Sequence, residues 1–385
     1  MSDHGRIFRR IAYEQQLRAR EWASGAVWRL RRTHRRELDG DPERVLIVLT
    51  GLLGDSVMCT PVLEEARRRW PRAHVTLLGL RHNLDLLRAC PCVDEFHEAD
   101  AVPFSLRGHR RVRALELWVR DQRFDVAIIL LGDQFASLLA RARVPIRVGR
   151  RGHPLTAAAT HTYDIGDDRS WGPGERLGAL RALGVQVREA APSLWVDDDA
   201  RERADRTLAA VGVSRDSGYV VIHPFGRTRA QWWPADRVDA LATTWEGRGV
   251  RTLLVGGAET ATIPVEGDAI VDVRGALDVS ELVAVIADAQ LVVSTDSGPF
   301  HIAGALGRPC LGLFRSTRPE HAGRYPSVRA IVGADGACVG RCRWDRCSFD
   351  PCRQLVGIDV ASVAEAAAQA VVRWSGDGKP GDGHR

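Results

Sequence analysis

From residue 44 onward the chain repeats one pattern: a short, continuously apolar run, a turn, then a longer stretch in which apolar and polar positions mix. The run RVLIVLT over 44–50 is too apolar to alternate faces, which is the pattern of a parallel strand covered on both sides. Similar runs at 75–78, 93–96, 126–131 and 146–148 predict further strands with helices between them, the first helix within 56–70. The pattern pauses over 192–199 and restarts, predicting strands at 219–223, 252–255, 270–273, 291–294 and 310–313. Two βα series of similar size predict an α/β protein of two Rossmann-like domains facing each other across a central cleft. The expected divisions are an arm over 1–40, a first domain over 41–191, a linker and first helix over 192–215, a second domain over 216–374 and a flexible tail over 375–385.

Composition narrows the class. With 385 residues, 45% hydrophobic and 27% charged, the chain reads as an ordinary two-domain globular protein rather than a fibrous or repetitive one. No run of about 18 apolar residues predicts a membrane-spanning helix. The start of the chain has no apolar signal core, so a cytoplasmic address is expected. The net charge of +5 conceals an imbalance, because Lys379 is the single lysine and the other cationic side chains are arginines. Arginine forks clamp phosphate through paired hydrogen bonds. A GC-rich gene would write the same bias.

Residues 1–40 hold ten arginines interspersed with Ile7, Phe8, Ile11, Leu17, Trp22, Val27, Trp28 and Leu30. Such an arm suits peripheral contact with the anionic cytoplasmic face of an inner membrane. A solvated or partly packed helical arm is the other reading. No nucleic-acid partner is expected. Of the eight cysteines, Cys59, Cys90, Cys92 and Cys310 are scattered and expected to pack as small hydrophobes. Cys338, Cys342, Cys347 and Cys352 form a cluster with spacings x3, x4 and x4. Four thiolates can hold a structural zinc or iron tetrahedrally, while reduced or partly paired thiols are the alternative.

Three loops follow predicted strands, and in open α/β sheets ligands bind beyond the carboxyl ends of strands. The first is Thr50-Gly51-Leu52-Leu53-Gly54-Asp55, whose glycines allow a sharp turn and close approach to a ligand. Asp55 is read there either as a helix N-cap or as a base taking the proton of an attacking hydroxyl. The second, from His223 to Pro234, combines Gly226, Thr228, Arg227 and Arg229, a set suited to a diphosphate; Pro234 fits the first turn of a helix. The third, from Ser294 to His301, offers Ser297, Gly298 and a helix start to an anion. Asp296 would repel phosphate and suits sugar hydroxyls instead, whereas His301 either reaches phosphate or packs. The run Asp197-Asp198-Asp199 is read as a helix cap rather than a metal site.

Three stretches in this order, RVLIVLTGLLGDSVMCTPVLEEARRRWP, VIHPFGRTRAQWWPADRVDALA and LVVSTDSGPFHIAGALGRPCLGLF, resemble glycosyltransferase family 9, the heptosyltransferases of the lipopolysaccharide inner core. The resemblance implies a GT-B fold with an acceptor domain first and a nucleotide-sugar donor domain second. It implies inverting, metal-independent transfer from ADP-heptose to a lipid-linked or other glycan acceptor, with no cofactor required. Asp55 matches the motif aspartate taken as general base. The donor contacts fall on Gly54, Thr228, Arg229, Gln231, Asp296, Ser297, Gly298 and His301. The chain departs from the family where the K-x-W-P lysine becomes Gln231, with Arg229 as its candidate replacement, and where Phe225 takes the place of a small residue. C-terminal cysteine groups also occur in some members. The competing readings are a nucleotide-sugar epimerase or hydrolase of the same fold and a non-catalytic nucleotide-sugar binding protein that docks on membranes.

Overall fold

The computed structural model describes residues 37–99, 109–165, 172–226, 228–265, 267–315, 325–333 and 352–376. The basic arm, Arg227, three of the four clustered cysteines and the tail beyond 376 lie outside the described residues. The chain divides into two compact units. One holds residues through Gly51 with Cys59–Leu84 and Pro91–Ala190; the other holds Leu52–Met58, Asp85–Cys90 and everything from Ala191 onward.

The chain opens with β1 (Arg44–Leu49), α1 (Leu53–Val57), α2 (Thr60–Arg69), β2 (His74–Gly79), α3 (Arg81–Leu86) and β3 (Glu95–Glu98). It continues through α4 (His109–Gln122), β4 (Val126–Leu131), α5 (Phe135–Arg141), β5 (Ile146–Arg150) and β6 (His161–Tyr163). Two short helices, α6 (Pro173–Arg176) and α7 (Gly178–Arg181), follow. The first unit's sheet is parallel throughout, in the order β3-β2-β1-β4-β5-β6. After the first residue, every position of β1 is buried, as a strand covered on both faces requires. Successive side chains point to opposite faces. Leu46, Val48, Ala127 and Ile129 therefore share one side, packing with Leu115 and Val119 of α4 and Leu138 and Leu139 of α5.

The second series runs α8 (Asp198–Ala210), β7 (Tyr219–His223), α9 (Ala235–Glu246), β8 (Arg251–Leu254), β9 (Ile270–Asp272), α10 (Val279–Asp288) and β10 (Leu291–Thr295). It ends with α11 (Gly298–Ala305), β11 (Cys310–Phe314), β12 (Val328–Val332), α12 (Arg353–Gly357) and α13 (Val360–Gly376). Its sheet is again parallel, in the order β12-β11-β10-β7-β8-β9. In each sheet the first strand lies in the middle and the fourth on its other side, the doubly wound Rossmann order. The expected α/β class with two Rossmann-like units is what the chain forms. Ile222, Val293, Leu311 and Leu313 share a core with Trp233, Leu241 and Trp245 around α9 and with Leu355, Ile358 and Val363 near the C-terminus.

The differences from the pattern have local causes. The helix expected within 56–70 breaks into α1 and α2 at Met58 and Cys59, because Pro61 has no N–H to continue the first helix and starts a second. β3 starts at Glu95 rather than 93, because the Asp94 carboxylate takes the Val75 N–H at 2.7 Å before the ladder begins. The edge strands β6 (HTY) and β12 (VRAIV) escape the hydrophobic pattern because each carries polar or half-exposed positions. Pro234 sits one residue earlier than expected, at the N-cap of α9. Asp197 caps α8, its Oδ1 accepting the Ala200 N–H at 2.8 Å. Cys59, Cys90, Cys92 and Cys310 are all buried, as expected of small hydrophobes.

Trp233 is 2% exposed, and its indole N–H donates to the Ile358 carbonyl at 3.1 Å, joining α9 to the C-terminal helices. Trp233→Ala should cost about 3–5 kcal/mol, read as a lower urea midpoint. Trp232→Ala, at a partly buried ring, should cost clearly less; equal losses would contradict this packing.

Candidate functional site

In a doubly wound sheet the crevice lies where the first and fourth strands part, outside their carboxyl ends. In the second unit those strands are β7 and β10, and the second and third loops singled out in the sequence leave from them. Side chains tie the two loops together. The Thr295 hydroxyl donates to the Phe225 carbonyl. The Ser297 hydroxyl lies 3.0 Å from His223 Nδ1, 3.0 Å from the Ser294 hydroxyl and 3.1 Å from the Thr295 carbonyl. Ser297 is the N-cap residue of α11, but its hydroxyl makes no cap bond. The first turn of that helix therefore keeps its N–H groups for an anion, apart from Pro299, which has none.

His301 lies one turn into α11 and is buried. Its Nδ1 is 3.2 Å from the Tyr325 hydroxyl, which donates to the Met58 sulfur at 3.5 Å. The Tyr325 hydroxyl thus holds the Nδ1 edge of the ring, and Nε2 is the ring nitrogen on the Gly54 side. Burial pushes His301 down to about 4 and His223 to about 4, so both rings are neutral in the physiological range. The ring of His301 also explains Gly54. A Cβ there would fall 2.5 Å from His301 Cδ2 and 3.1 Å from Nε2, so only bare backbone fits. Gly298 faces Leu53 in the same way, with its virtual Cβ 3.0 Å from that side chain. Helices α1 and α11 thus meet glycine to side chain in both directions, inside the second unit.

Asp55 is not an N-cap. Leu52 holds that position, and Asp55 is the third residue of α1, partly exposed. The carboxylate is accessible in the first helical turn, where negative charge is favoured. In the second loop Thr228 and Arg229 are exposed, while Gln231 turns back on the loop, its Oε1 accepting the Thr228 N–H at 3.0 Å. A Cβ at Gly226 would lie 2.4 Å from Gln231 Cβ, so the turn closes tightly over it. Where the family carries a lysine, this chain has a brace for its own loop. Phe225 is buried beneath, edge-on to Trp232 at 5.6 Å and covered by the Arg274 guanidinium at 5.6 Å. Asp296 is exposed at the carboxyl end of β10.

The structure brings together Gly54, Ser297, Gly298 and His301, and pairs Thr228 with Gln231. Several residues at the same sheet edges went unread in the sequence. His223 holds Ser297. Arg274 grips Asp272 and reaches the Thr260 and Ile263 carbonyls. After β8, Gly256, Gly257 and Glu259 form another strand-end loop, and the strand–Gly–Gly–acid order was its available signal. In the first unit the Gly51 carbonyl accepts from His82 Nε2 at 2.8 Å and Asn83 Nδ2 at 2.9 Å. Beyond β4, Asp133 pairs with Arg150 at 2.6 Å and lies 3.6 Å from His153. Cys352 is a buried free thiol; Cys338, Cys342 and Cys347 lie outside the described residues. Among the described residues, no group of three or more His, Cys, Asp or Glu is placed to hold a metal.

The two imidazoles, His301 buried and His223 half-buried, link stability to pH. The unfolded chain protonates them near 6.5 and the folded chain near 4, so between these values the unfolded state binds more protons. Their contribution is complete above about pH 6.5 and is lost as pH falls toward 4. The urea midpoint should decline over that window, and less steeply in His301→Gln. An equal slope in the variant would show that this ring is not buried neutral.

The sequence model of glycosyltransferase family 9 (heptosyltransferase) matches residues 112–352. Lipopolysaccharide heptosyltransferase 3 of Escherichia coli K12 is 24% identical over 294 residues, 72% of this chain and 84% of the relative. The structure of E. coli ADP-heptose lipopolysaccharide heptosyltransferase II superposes with a TM-score of 0.70 at 20% identity, covering 86% of this chain and 99% of that one. The iron-containing dodecameric glycosyltransferase TibC of enterotoxigenic E. coli superposes with a TM-score of 0.55 at 17% identity, over 88% of this chain and 78% of TibC. The two Rossmann-like units are thus those of the GT-B heptosyltransferase fold. No helix among the described residues is long and apolar enough to cross a membrane. The family match spans more than half of the chain, which belongs to glycosyltransferase family 9, the heptosyltransferases, and is a glycosyltransferase.

Proposed function

We propose that the protein transfers a heptose from ADP-heptose to a hydroxyl of a lipopolysaccharide-core acceptor, with inversion at the transferred carbon. The observation that carries this reading is the packing of the Asp55 segment on α11, within the unit whose β7 and β10 loops converge on Ser297. In the reaction the bond from the sugar's anomeric carbon to the diphosphate oxygen breaks as the acceptor oxygen bonds to that carbon. The acceptor proton passes to Asp55. Negative charge grows on the departing diphosphate, and fixed donors aimed at it lower the barrier most. The α11 N–H groups, the Ser297 and Thr228 hydroxyls and the Arg229 guanidinium supply those donors in this reading. Gly54 and Gly298 let the two helices close, Asp296 accepts from sugar hydroxyls, and neutral His301 offers Nε2 for a hydrogen bond. Gln231 contributes by shaping the loop rather than by charge. Donor binding is assigned to the second unit and acceptor binding to the first.

The epimerase, hydrolase and non-catalytic readings of the sequence give way to membership of a transferase family. Peripheral docking of the arm at 1–40 on the inner membrane is part of the proposal, supported by its arginines and tryptophans. Asp55→Asn should lower kcat by about 10²–10⁴-fold while calorimetric binding of ADP is largely kept. Undiminished turnover would remove Asp55 as the base. Preference for UDP, GDP or dTDP over ADP would discard ADP-heptose as donor.

The four clustered cysteines are proposed to hold a structural iron or zinc, apart from the chemistry, since four thiolates suit either ion. Cys352, a buried thiol, is the described member of the set. Metal analysis of the purified protein should give about one ion per chain, lost in Cys352→Ser. Metal-free, stably folded protein would leave the cysteines as reduced packing groups.

A further inference from the structure

Gly51 is the last residue of the first unit before Leu52–Met58 passes to the second. Its backbone is held on more than one side. The preceding Thr50 bonds the Leu131 carbonyl through its N–H at 3.0 Å and its hydroxyl at 3.2 Å. A Cβ on residue 51 would fall 2.4 Å from Leu131 Cδ1, so the bare backbone packs directly on the Leu131 side chain. The Gly51 carbonyl, for its part, accepts from both His82 and Asn83 at the start of α3. Asn83 is 0% exposed, and its Oδ1 accepts the Leu80 N–H at 3.1 Å, which settles which amide atom faces Gly51.

Two side-chain donors use both lone pairs of this carbonyl. Satisfying it takes only one donor, and Gly51 is partly exposed, so water could serve. β1 has ended at Leu49, so the carbonyl has no place in that strand. What two donors at fixed angles add is direction: the peptide plane between Gly51 and Leu52 cannot rotate without losing one of them. Because a carbonyl only accepts, His82 must carry a proton on Nε2.

We propose that Asn83 and His82 are positioning residues of the transfer reaction, locking the Gly51 carbonyl and with it the direction in which the loop delivers Asp55, four residues on. The proposal rests on the reading of Asp55 as base.

The test uses Asn83→Asp in the full chain. The carboxylate keeps the Leu80 bond but can no longer donate to Gly51, and it sets oxygen against oxygen. Misplacement of a reacting group by about 1 Å costs roughly 100-fold, so kcat should fall about 10–100-fold, with the ADP dissociation constant within about two-fold of wild type. Combined with Asp55→Asn, the substitution should cost little more than Asp55→Asn alone, since residues acting through one group are not additive. His82→Ala, at a partly exposed site, gives the same readings if Asn83→Asp does not fold, with a smaller fall in kcat. Wild-type kcat in both variants, a loss of ADP binding that matches the loss of kcat, or full additivity with Asp55→Asn would overturn the proposal. Full activity of Asp55→Asn by itself would instead overturn the reading of the base, whatever Asn83 does.

Discussion

The approach of the Gly54 backbone to the His301 ring governs the second unit's carboxyl edge. A single methylene at Gly54 would lie 2.5 Å from the imidazole, and a closely packed interior has no slack for it. That approach seats α1 on α11, and α1 carries Asp55. It also keeps His301 buried and neutral, with its Nδ1 on the Tyr325 hydroxyl, which itself meets the Met58 sulfur. The imidazole is therefore a wall for one helix and a hydrogen-bonded polar group of the core at once. Gly298 against Leu53 makes a looser version of the arrangement from the other side, tight for a Cβ for reasons of space rather than of backbone twist.

Around this contact the chain depends on arginine and on backbone more than on lysine. Gln231, at the position of the family lysine, has become part of the loop's own hydrogen bonding, and Phe225 beneath it is packed between Trp232 and Arg274. A bulky ring and a side-chain brace thus pack the β7 loop from within. Among the described residues of that loop, Arg229 carries positive charge, exposed on the short turn that Gln231 closes.

Much of the fold was legible because most strands are buried on both faces and so appear as unbroken apolar runs. β4 and β7 lie where the pattern puts them, whereas β6, short and polar, and β12, largely half-exposed, leave no such run at the sheet edges. The strand-end loops were legible from glycine, serine and aspartate following a strand. The residues that hold those loops were not. His223 meets Ser297 across 74 positions of sequence and Asn83 meets Gly51 across 32, and a single sequence displays spacing, not proximity. Asp55 shows the limit on a smaller scale: its place at a helix start was evident, but the N-cap is Leu52, since the helix begins one turn earlier than its polar residues suggest.

The assignment of Leu52–Met58 to the second unit has a consequence for biosynthesis. The helix carrying Asp55 leaves the ribosome early, but the surface it packs on is completed only at Ala305, about 250 residues later. At roughly 5–20 residues per second, that segment waits on the order of 10–50 s without its partner. Val57 and Met58, buried in the finished protein, are exposed to solvent or chaperones for that time. The chain can therefore complete the sheet of its first unit during synthesis, but the helix that bears Asp55 settles only after α11 of the second unit has been made.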